Sequence, residues 1–141
     1  MKSIKIRVMT IEDYEAVYAL WLMMPGLGIN SVDDTRTGIA KYLERNPRTS
    51  FVAEKDGAIV GTILGGHDGR RGFLCHAAVN VSEQGQGIGT MLVNAAVAEL
   101  KNEGIQKAAL VAYASNTHGN GFWEKQGFYV RKDLFYRDKF I

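Results

Sequence analysis

The residues of this chain best placed to do chemistry are glycines. Gly85, Gly87 and Gly89 fall at alternate positions in Gln84-Gly85-Gln86-Gly87-Ile88-Gly89-Thr90, directly after Val79-Asn80-Val81 and directly before a helical stripe. A strand that runs into a glycine turn and opens a helix leaves backbone N–H groups unpaired at the positive end of the helix dipole. That arrangement binds anions, and glycine lets a phosphate come close. A tight turn alone needs fewer glycines. A P-loop would place Lys-Ser/Thr after the last glycine, and Ile88-Gly89-Thr90-Met91 has no Lys. A dinucleotide fingerprint needs GxGxxG after the first strand, whereas this loop is spaced GxGxG and four strand-like segments precede it. Both nucleotide readings fail on spacing and on position.

The titratable candidates each carry two readings. His76 stands in a strand-like run, either as a hydrogen-bonded strand imidazole or as a substrate or proton-relay group, since imidazole titrates near neutrality. His67-Asp68 either shapes a turn or offers a carboxylate to a cationic amine. Glu83, beside the glycine loop, is a solvated or capping carboxylate or a base. Cys75 has no evident His/Asp partner and reads as a small strand residue rather than a nucleophile. Trp21, Met23, Met24, Leu27 and Ile29 cluster around one apolar-tipped loop and are either the edge of the core or an apolar acceptor wall. Asp33 and Asp34 read as helix-capping charges or as a reader of an acceptor's positive group.

The elements that must hold these groups follow from periodicity. Ile4–Val8 alternates apolar and charged residues as a strand. Thr10-Ile11-Glu12-Asp13 is a capping box for a helix through Trp21, and Ser31-Val32-Asp33-Asp34 a second one for a helix ending ahead of Pro47. Strands are expected at Phe51–Lys55 and Ala58–Gly65 around the Asp56-Gly57 turn, then at Phe73–Val81. A helix runs from Gly87 to Leu100 and closes near Gly104. Lys107–Ala114 reads as a strand covered on both faces, 117–126 as a helix, and Phe128–Arg131 and Leu134–Asp138 as closing strands. The order is that of a mixed α/β sheet with helices on both sides.

The 141 residues carry 17 Lys+Arg against 15 Asp+Glu, with three His, for a formal charge of +2. This length suits one domain, 1–141. The basicity is too small and scattered to argue for nucleic acid. No apolar run spans a membrane, and the Met1-to-Arg7 start lacks a secretory signal's apolar core. The single cysteine excludes an intramolecular disulfide and is compatible with the cytoplasm. No CxxC or HExxH spacing supports a metal site.

The chain resembles the GNAT superfamily of acetyl-CoA-dependent N-acetyltransferases. The resemblance rests on Gln84-Gly85-Gln86-Gly87-Ile88-Gly89, similar to the family's pyrophosphate loop. It rests as well on Arg7-Val8-Met9-Thr10-Ile11-Glu12-Asp13, Asp56-Gly57-Ala58-Ile59-Val60-Gly61, Ala78-Val79, Ala114-Ser115-Asn116 and Phe122-Trp123-Glu124-Lys125-Gln126-Gly127-Phe128. Gly65-Gly66-His67-Asp68-Gly69-Arg70-Arg71-Gly72 further resembles a small bacterial subgroup, the YpeA-like proteins. The resemblance implies a single-domain fold with a mostly antiparallel mixed sheet splayed between its fourth and fifth strands. Acetyl-CoA is then the acetyl donor, with its arm beside Ala77, Ala78 and Val79. Its pyrophosphate is capped by Gln84 and the amides of Gly85, Gln86, Gly87, Ile88, Gly89 and Thr90. Val81, Asn116, Gly119, Asn120, Phe122 and Lys125 are the other expected cofactor contacts. Leu27, Ile29, His67 and Asp68 are the expected acceptor contacts.

The departures bear on mechanism. The tyrosine that protonates the leaving thiolate in many members is Trp123 here, whose indole N–H donates but is no acid near pH 7. A thiol pKa of about 8.5 leaves the thiolate only about 2 kcal/mol above its thiol at pH 7, so that loss is bearable. Positions that carry the base in other members are Val111, Phe73 and Cys75, which leaves His76, one register away, together with His67, Asp68 and Glu83. The expected reaction is direct transfer to a primary amine, of a small molecule or a protein N-terminus, in a ternary complex. The alternative is an acyl-CoA-binding module without efficient turnover, favoured by Trp123 and Val111. A second copy of the chain is the partner that the closing strands could pair with, as a homodimer.

Overall fold

The computed structural model describes residues 3–141, so Met1 and Lys2 of the expected amino-terminal pattern lie outside the described residues. Its contacts divide the chain into one unit running to Val111 and a second, Ala112–Ile141. The first unit holds a five-stranded sheet in the order β1 (Ile4–Val8), β2 (Phe51–Lys55), β3 (Ala58–His67), β4 (Gly72–Val79), β5 (Ala108–Ala109). All neighbours are antiparallel except β4 and β5. Among the described residues no helix is long and apolar enough to cross a membrane.

Helices cover both faces of the sheet. On one side α1 (Tyr14–Leu22) and α2 (Arg36–Arg45) bury Val17, Leu20, Trp21, Ile39 and Leu43 against Val52, Leu64 and Ala78. On the other lies α3 (Ile88–Asn102), whose buried stripe is Ile88, Leu92, Val93, Ala96 and Leu100. Fully burying each such large side chain contributes about 1.5–3 kcal/mol. Gly65 and Gly66 are part of this packing. A Cβ on Gly65 would lie 2.4 Å from the Thr49 carbonyl oxygen, and one on Gly66 would lie 2.6 Å from the Tyr42 hydroxyl. Their lack of side chains lets the segment after α2 lie on β3, where Thr49 Oγ1 donates to the Gly65 carbonyl (2.6 Å) and Asn46 Oδ1 accepts from His67 N–H (3.0 Å).

Three expectations are corrected. The second helix is capped by Thr35, whose Oγ1 accepts from Gly38 N–H, not by Ser31-Val32-Asp33-Asp34. That stretch is a turn organised by Asn30, whose Oδ1 accepts from the N–H groups of Val32 and Asp33. Lys107–Ala114 is a strand only at Ala108–Ala109, with Val111 and Tyr113 exposed rather than covered on both faces. The parallel ladder stops at Phe73↔Ala109, just before β4 bulges and twists away, and a strand without a ladder is not held straight. In the second unit α4 (Thr117–Lys125) ends in a Schellman cap. Gly127 takes φ 91, its N–H donates to the Glu124 carbonyl, and Phe128 N–H donates to that of Trp123. After it, Phe128–Arg131 and Leu134–Asp138 form no strand, and Tyr129, Phe135 and Tyr136 are largely exposed. Their aromatic and apolar content fits a strand, but a strand also needs a paired edge.

Candidate active site

Between Thr62 and Leu64, β3 advances two residues while the facing β4 advances three, from Ala78 to Cys75. The extra residue makes a bulge at which His76 takes φ 49, a left-handed conformation that histidine adopts more readily than most residues. Beyond Phe73 the β5 side of β4 has no strand partner. Asn80 N–H donates to Val60 across β3 (2.8 Å), so by strand alternation the polar groups of Val79 face away from β3, into the splay. Gln84 Nε2 reaches back to the Val79 carbonyl (3.0 Å) and ties the glycine loop to the end of the strand. Ala78 is buried against the α1 layer, Ala77 is half-buried, and Val81 is exposed.

The loop itself is built as its spacing suggests. Gly85 and Gly87 take φ 82 and 81, and space around both is open, so a side chain there would be opposed by backbone strain rather than by contacts. Gly87 is the N-cap of α3 and supplies no side-chain cap. The amides of Ile88 and Gly89, in the first turn, have no carbonyl within the helix to bond. A negatively charged group set there would meet both the amides and the dipole of a fifteen-residue helix. Glu83 beside the loop is held by Lys55 Nζ at 2.8 Å, and Gln86 Nε2 donates to it.

His76 has the partner that its sequence context hides. Its Nε2 lies 2.8 Å from Oδ1 of Asp34, which is only 4% exposed. The other Asp34 oxygen accepts from Asn30 N–H (3.0 Å), and the Asp34 carbonyl accepts from Tyr14 Oη (2.6 Å). The Trp21 ring stands edge-on to the imidazole at 4.9 Å, and Trp21 is wholly in the core. Burial, with Asp34 and Asp33 nearby, pushes the Cys75 thiol up to about 12, which excludes a thiolate nucleophile near neutral pH. Neither reading of Asp34 from the sequence, helix cap or reader of an acceptor's positive group, gives its pairing with His76. Thr35, a better cap one residue later, was the available signal that Asp34 lies outside the helix.

A cavity of about 430 Å³ reaches the pair at Asp34 but is not lined by His76; its walls are Tyr14, Tyr18, Leu22, Ile29, Asn30, Ser31, Asp34, Thr35 and Arg36. Leu27 and Ile29 both pack on the core, and of the two only Ile29 also lines this wall. His67 and Asp68 do not line it. Gly69 N–H donates to His67 Nδ1 (2.9 Å), which puts the ring proton on Nε2, facing Glu103 Oε1 at 2.8 Å. Asp68 accepts from the N–H groups of Arg70 and Arg71, which hold its carboxyl below the usual range. Both residues tie the β3–β4 turn.

Within the second unit, Asn116 caps α4 by accepting from Gly119 N–H (2.9 Å), and a Cβ on Gly119 would strike that amide. Asn120 donates to the carbonyls of Tyr113 and Asn116. Trp123 packs edge-on between Phe122 (5.1 Å) and Phe128 (5.4 Å), an aromatic cluster rather than an acid, and Lys125 is exposed.

With the splayed sheet, the bulge and the uncapped helix start in place, the sequence profile of the acetyltransferase (GNAT) family matches residues 14–128. The chain belongs to this family. An acetyltransferase of Pectobacterium atrosepticum is 32% identical over 125 residues, covering 86% of this chain and 84% of the relative. One of Photorhabdus laumondii is 34% identical over 116 residues, covering 79% and 77%. The fold is that of Ard1 from Thermoplasma volcanium (TM-score 0.81, 21% identity, 91% of this chain and 84% of that one). It is equally that of the PaiA N-acetyltransferase of Thermoplasma acidophilum, solved in complex with coenzyme A (TM-score 0.77, 22% identity, 92% and 91%). This GNAT protein is an acetyl-CoA-dependent acetyltransferase, with acetyl-CoA as the acetyl donor.

Proposed function

We propose that this acetyltransferase moves the acetyl group to a primary amine by direct attack in a ternary complex. The observation that carries the reading is the open β4 edge from the bulge to Val79, which leads into the uncapped start of α3. An extended donor arm can lie along the edge while its pyrophosphate meets the amides of Gly87, Ile88 and Gly89 and the dipole behind them. Gln84, bonded to Val79, holds loop and strand in register for both contacts. The acceptor enters by the cavity beside α1, where Tyr14 and Tyr18 stack at 5.6 Å and Asp34 closes one end. Aromatic faces and a carboxylate suit a cationic ammonium carrying an apolar group. Positioning the two substrates supplies most of the rate. Working in the cytoplasm agrees with a single, half-buried cysteine.

Thermal shift with acetyl-CoA and CoA, with ATP and NAD as controls, tests the donor half. A ligand at 100 times its dissociation constant adds about 2.7 kcal/mol. Thiol release from acetyl-CoA over a panel of small amines and peptides with free N-termini tests the acceptor half. No CoA-specific shift withdraws the cofactor assignment. Binding without transfer leaves the module that holds acyl-CoA without turnover, which Trp123, locked in aromatic packing, favours.

A further inference from the structure

We propose that His76 takes the proton from the acceptor nitrogen, and that Asp34 is the positioning residue that keeps Nδ1 of His76 available to do so. The proposal rests on the amine-transfer reading above. A carboxylate oxygen accepts, so the 2.8 Å contact to Asp34 Oδ1 places the imidazole proton on Nε2. Nδ1 then carries the lone pair, and among the described residues it has no hydrogen-bond partner. The side chain keeps 16% of its surface accessible, against 6% for Asp34. The bulge sets this imidazole where β4 has lost its β5 neighbour and its edge is open to a donor arm.

Asp34 is unusually well fixed for the task. Its Oδ2 is taken by Asn30 N–H and its carbonyl by Tyr14 Oη, so the carboxylate cannot turn away from His76. The other ionisable groups around the pair are Asp33 and Cys75, which interact with one another, and Tyr14, which bonds the Asp34 carbonyl and has Tyr18, Glu15 and Arg36 about it. The ammonium first gives one proton to solvent; as the neutral amine nitrogen then bonds to the thioester carbonyl carbon, a second N–H proton passes to Nδ1. The C–S bond then breaks with its electron pair on sulfur, and the imidazolium, stabilised by Asp34, returns the proton to the thiolate. Amine and thioester thus become amide and thiol with no further reactant.

The arrangement makes an asymmetric prediction for Asp34→Asn. An amide has one acceptor oxygen, and the rigid Asn30 N–H claims it. The amide NH2 then faces Nε2, which must accept, and the ring proton moves to Nδ1. Long-range proton–nitrogen NMR reads this directly, with Nε2–H expected in the wild type and Nδ1–H in the variant. For activity, His76→Gly suits the left-handed backbone and leaves a slot for free imidazole. Using 2-phenylethylamine and then the wider amine panel as acceptors, kcat should fall about 100-fold in His76→Gly. Millimolar imidazole should restore part of it, the acid limb of the pH profile should vanish, and the acetyl-CoA thermal shift should stay as in the wild type. Asp34→Asn should lower kcat with KM for acetyl-CoA unchanged.

Folded variants that keep kcat within threefold overturn the proposal. So does loss of activity without imidazole rescue and with an unshifted pH profile, which assigns the pair to structure. An unchanged tautomer in Asp34→Asn refutes the positioning role, and if that variant does not fold, His76→Gly decides alone. A wild type that binds acetyl-CoA but acetylates nothing withdraws the underlying reading and this one with it. An active wild type with active variants removes this one alone.

Discussion

Gly87→Ala separates an anion-binding loop from a merely tight turn. Gly87 takes φ 81, and nothing lies within 4 Å of where a Cβ would stand, so the free protein suffers only the backbone penalty. For an L-residue in the left-handed region that penalty is about 1–2 kcal/mol. An unfolding entropy of about 2.1 cal/mol/K per residue makes each kcal/mol worth about 3 °C in a chain of 141 residues. The free variant should therefore melt about 3–7 °C lower. With acetyl-CoA at 100 times its wild-type dissociation constant, the wild type should gain about 2.7 kcal/mol, or about 9 °C. A methyl group aimed into the space that a phosphate must enter, weakening binding tenfold, would cut that gain to about 1.4 kcal/mol, or about 5 °C. Differential scanning fluorimetry over a range of acetyl-CoA concentrations reads both effects. If the variant loses only the ligand-independent part and its acetyl-CoA shift equals that of the wild type, no phosphate approaches Gly87 and the loop reading is wrong.

Gly65→Ala, with its Cβ 2.4 Å from the Thr49 carbonyl oxygen, should cost about 3 kcal/mol, seen as a lower urea midpoint with an unchanged slope. The Arg7 guanidinium holds the Asp13 carboxyl below its usual value through two bonds of 2.7 and 2.8 Å. A group depressed on folding stabilises above its unfolded pKa of about 3.9, and that contribution is lost as pH falls below it. Asp13→Asn should therefore cost about 2 kcal/mol at pH 7, with the gap to wild type narrowing below about pH 4 in urea titrations. Cys75, its thiol raised to about 12 by burial, should react with a disulfide reagent at pH 8 far more slowly than a free cysteine thiol does. Cys75→Ala should retain kcat, and a loss above tenfold would reinstate the thiol as a reacting group.

Much of the site could be read from spacing because its physics is local. Three glycines between an apolar run and a helical stripe specify a turn, a helix start and unpaired amides within seven residues. The strands through β4 and helices α1 and α3 likewise follow from alternation, 3.6-residue stripes and the Asp56-Gly57 turn. The errors lie where a segment needs a distant partner. Lys107–Ala114 is apolar enough for a long strand, yet only two residues pair because β4 bulges and leaves. Phe128–Arg131 and Leu134–Asp138 are aromatic-rich like strands but have no ladder. Asp34 looked like a helix cap because a carboxylate ahead of a helix usually is one.

The sequence by itself determined the family resemblance, the glycine loop, the order of elements through α4 and the tryptophan at position 123. These depend on residue type and short spacing, which the chain carries wherever it folds. Only the tertiary structure decided what His76 is. Forty-two residues separate it from Asp34, and no spacing rule spans that distance. An insertion of one residue in β4 turns the imidazole, a helix capped at Thr35 rather than earlier leaves Asp34 outside it, and packing of α1 onto the sheet brings Tyr14 to hold it there. The Thr35 cap is local, but the bulge against β3 and the Tyr14 bond are long-range, stable only because the whole core forms at once.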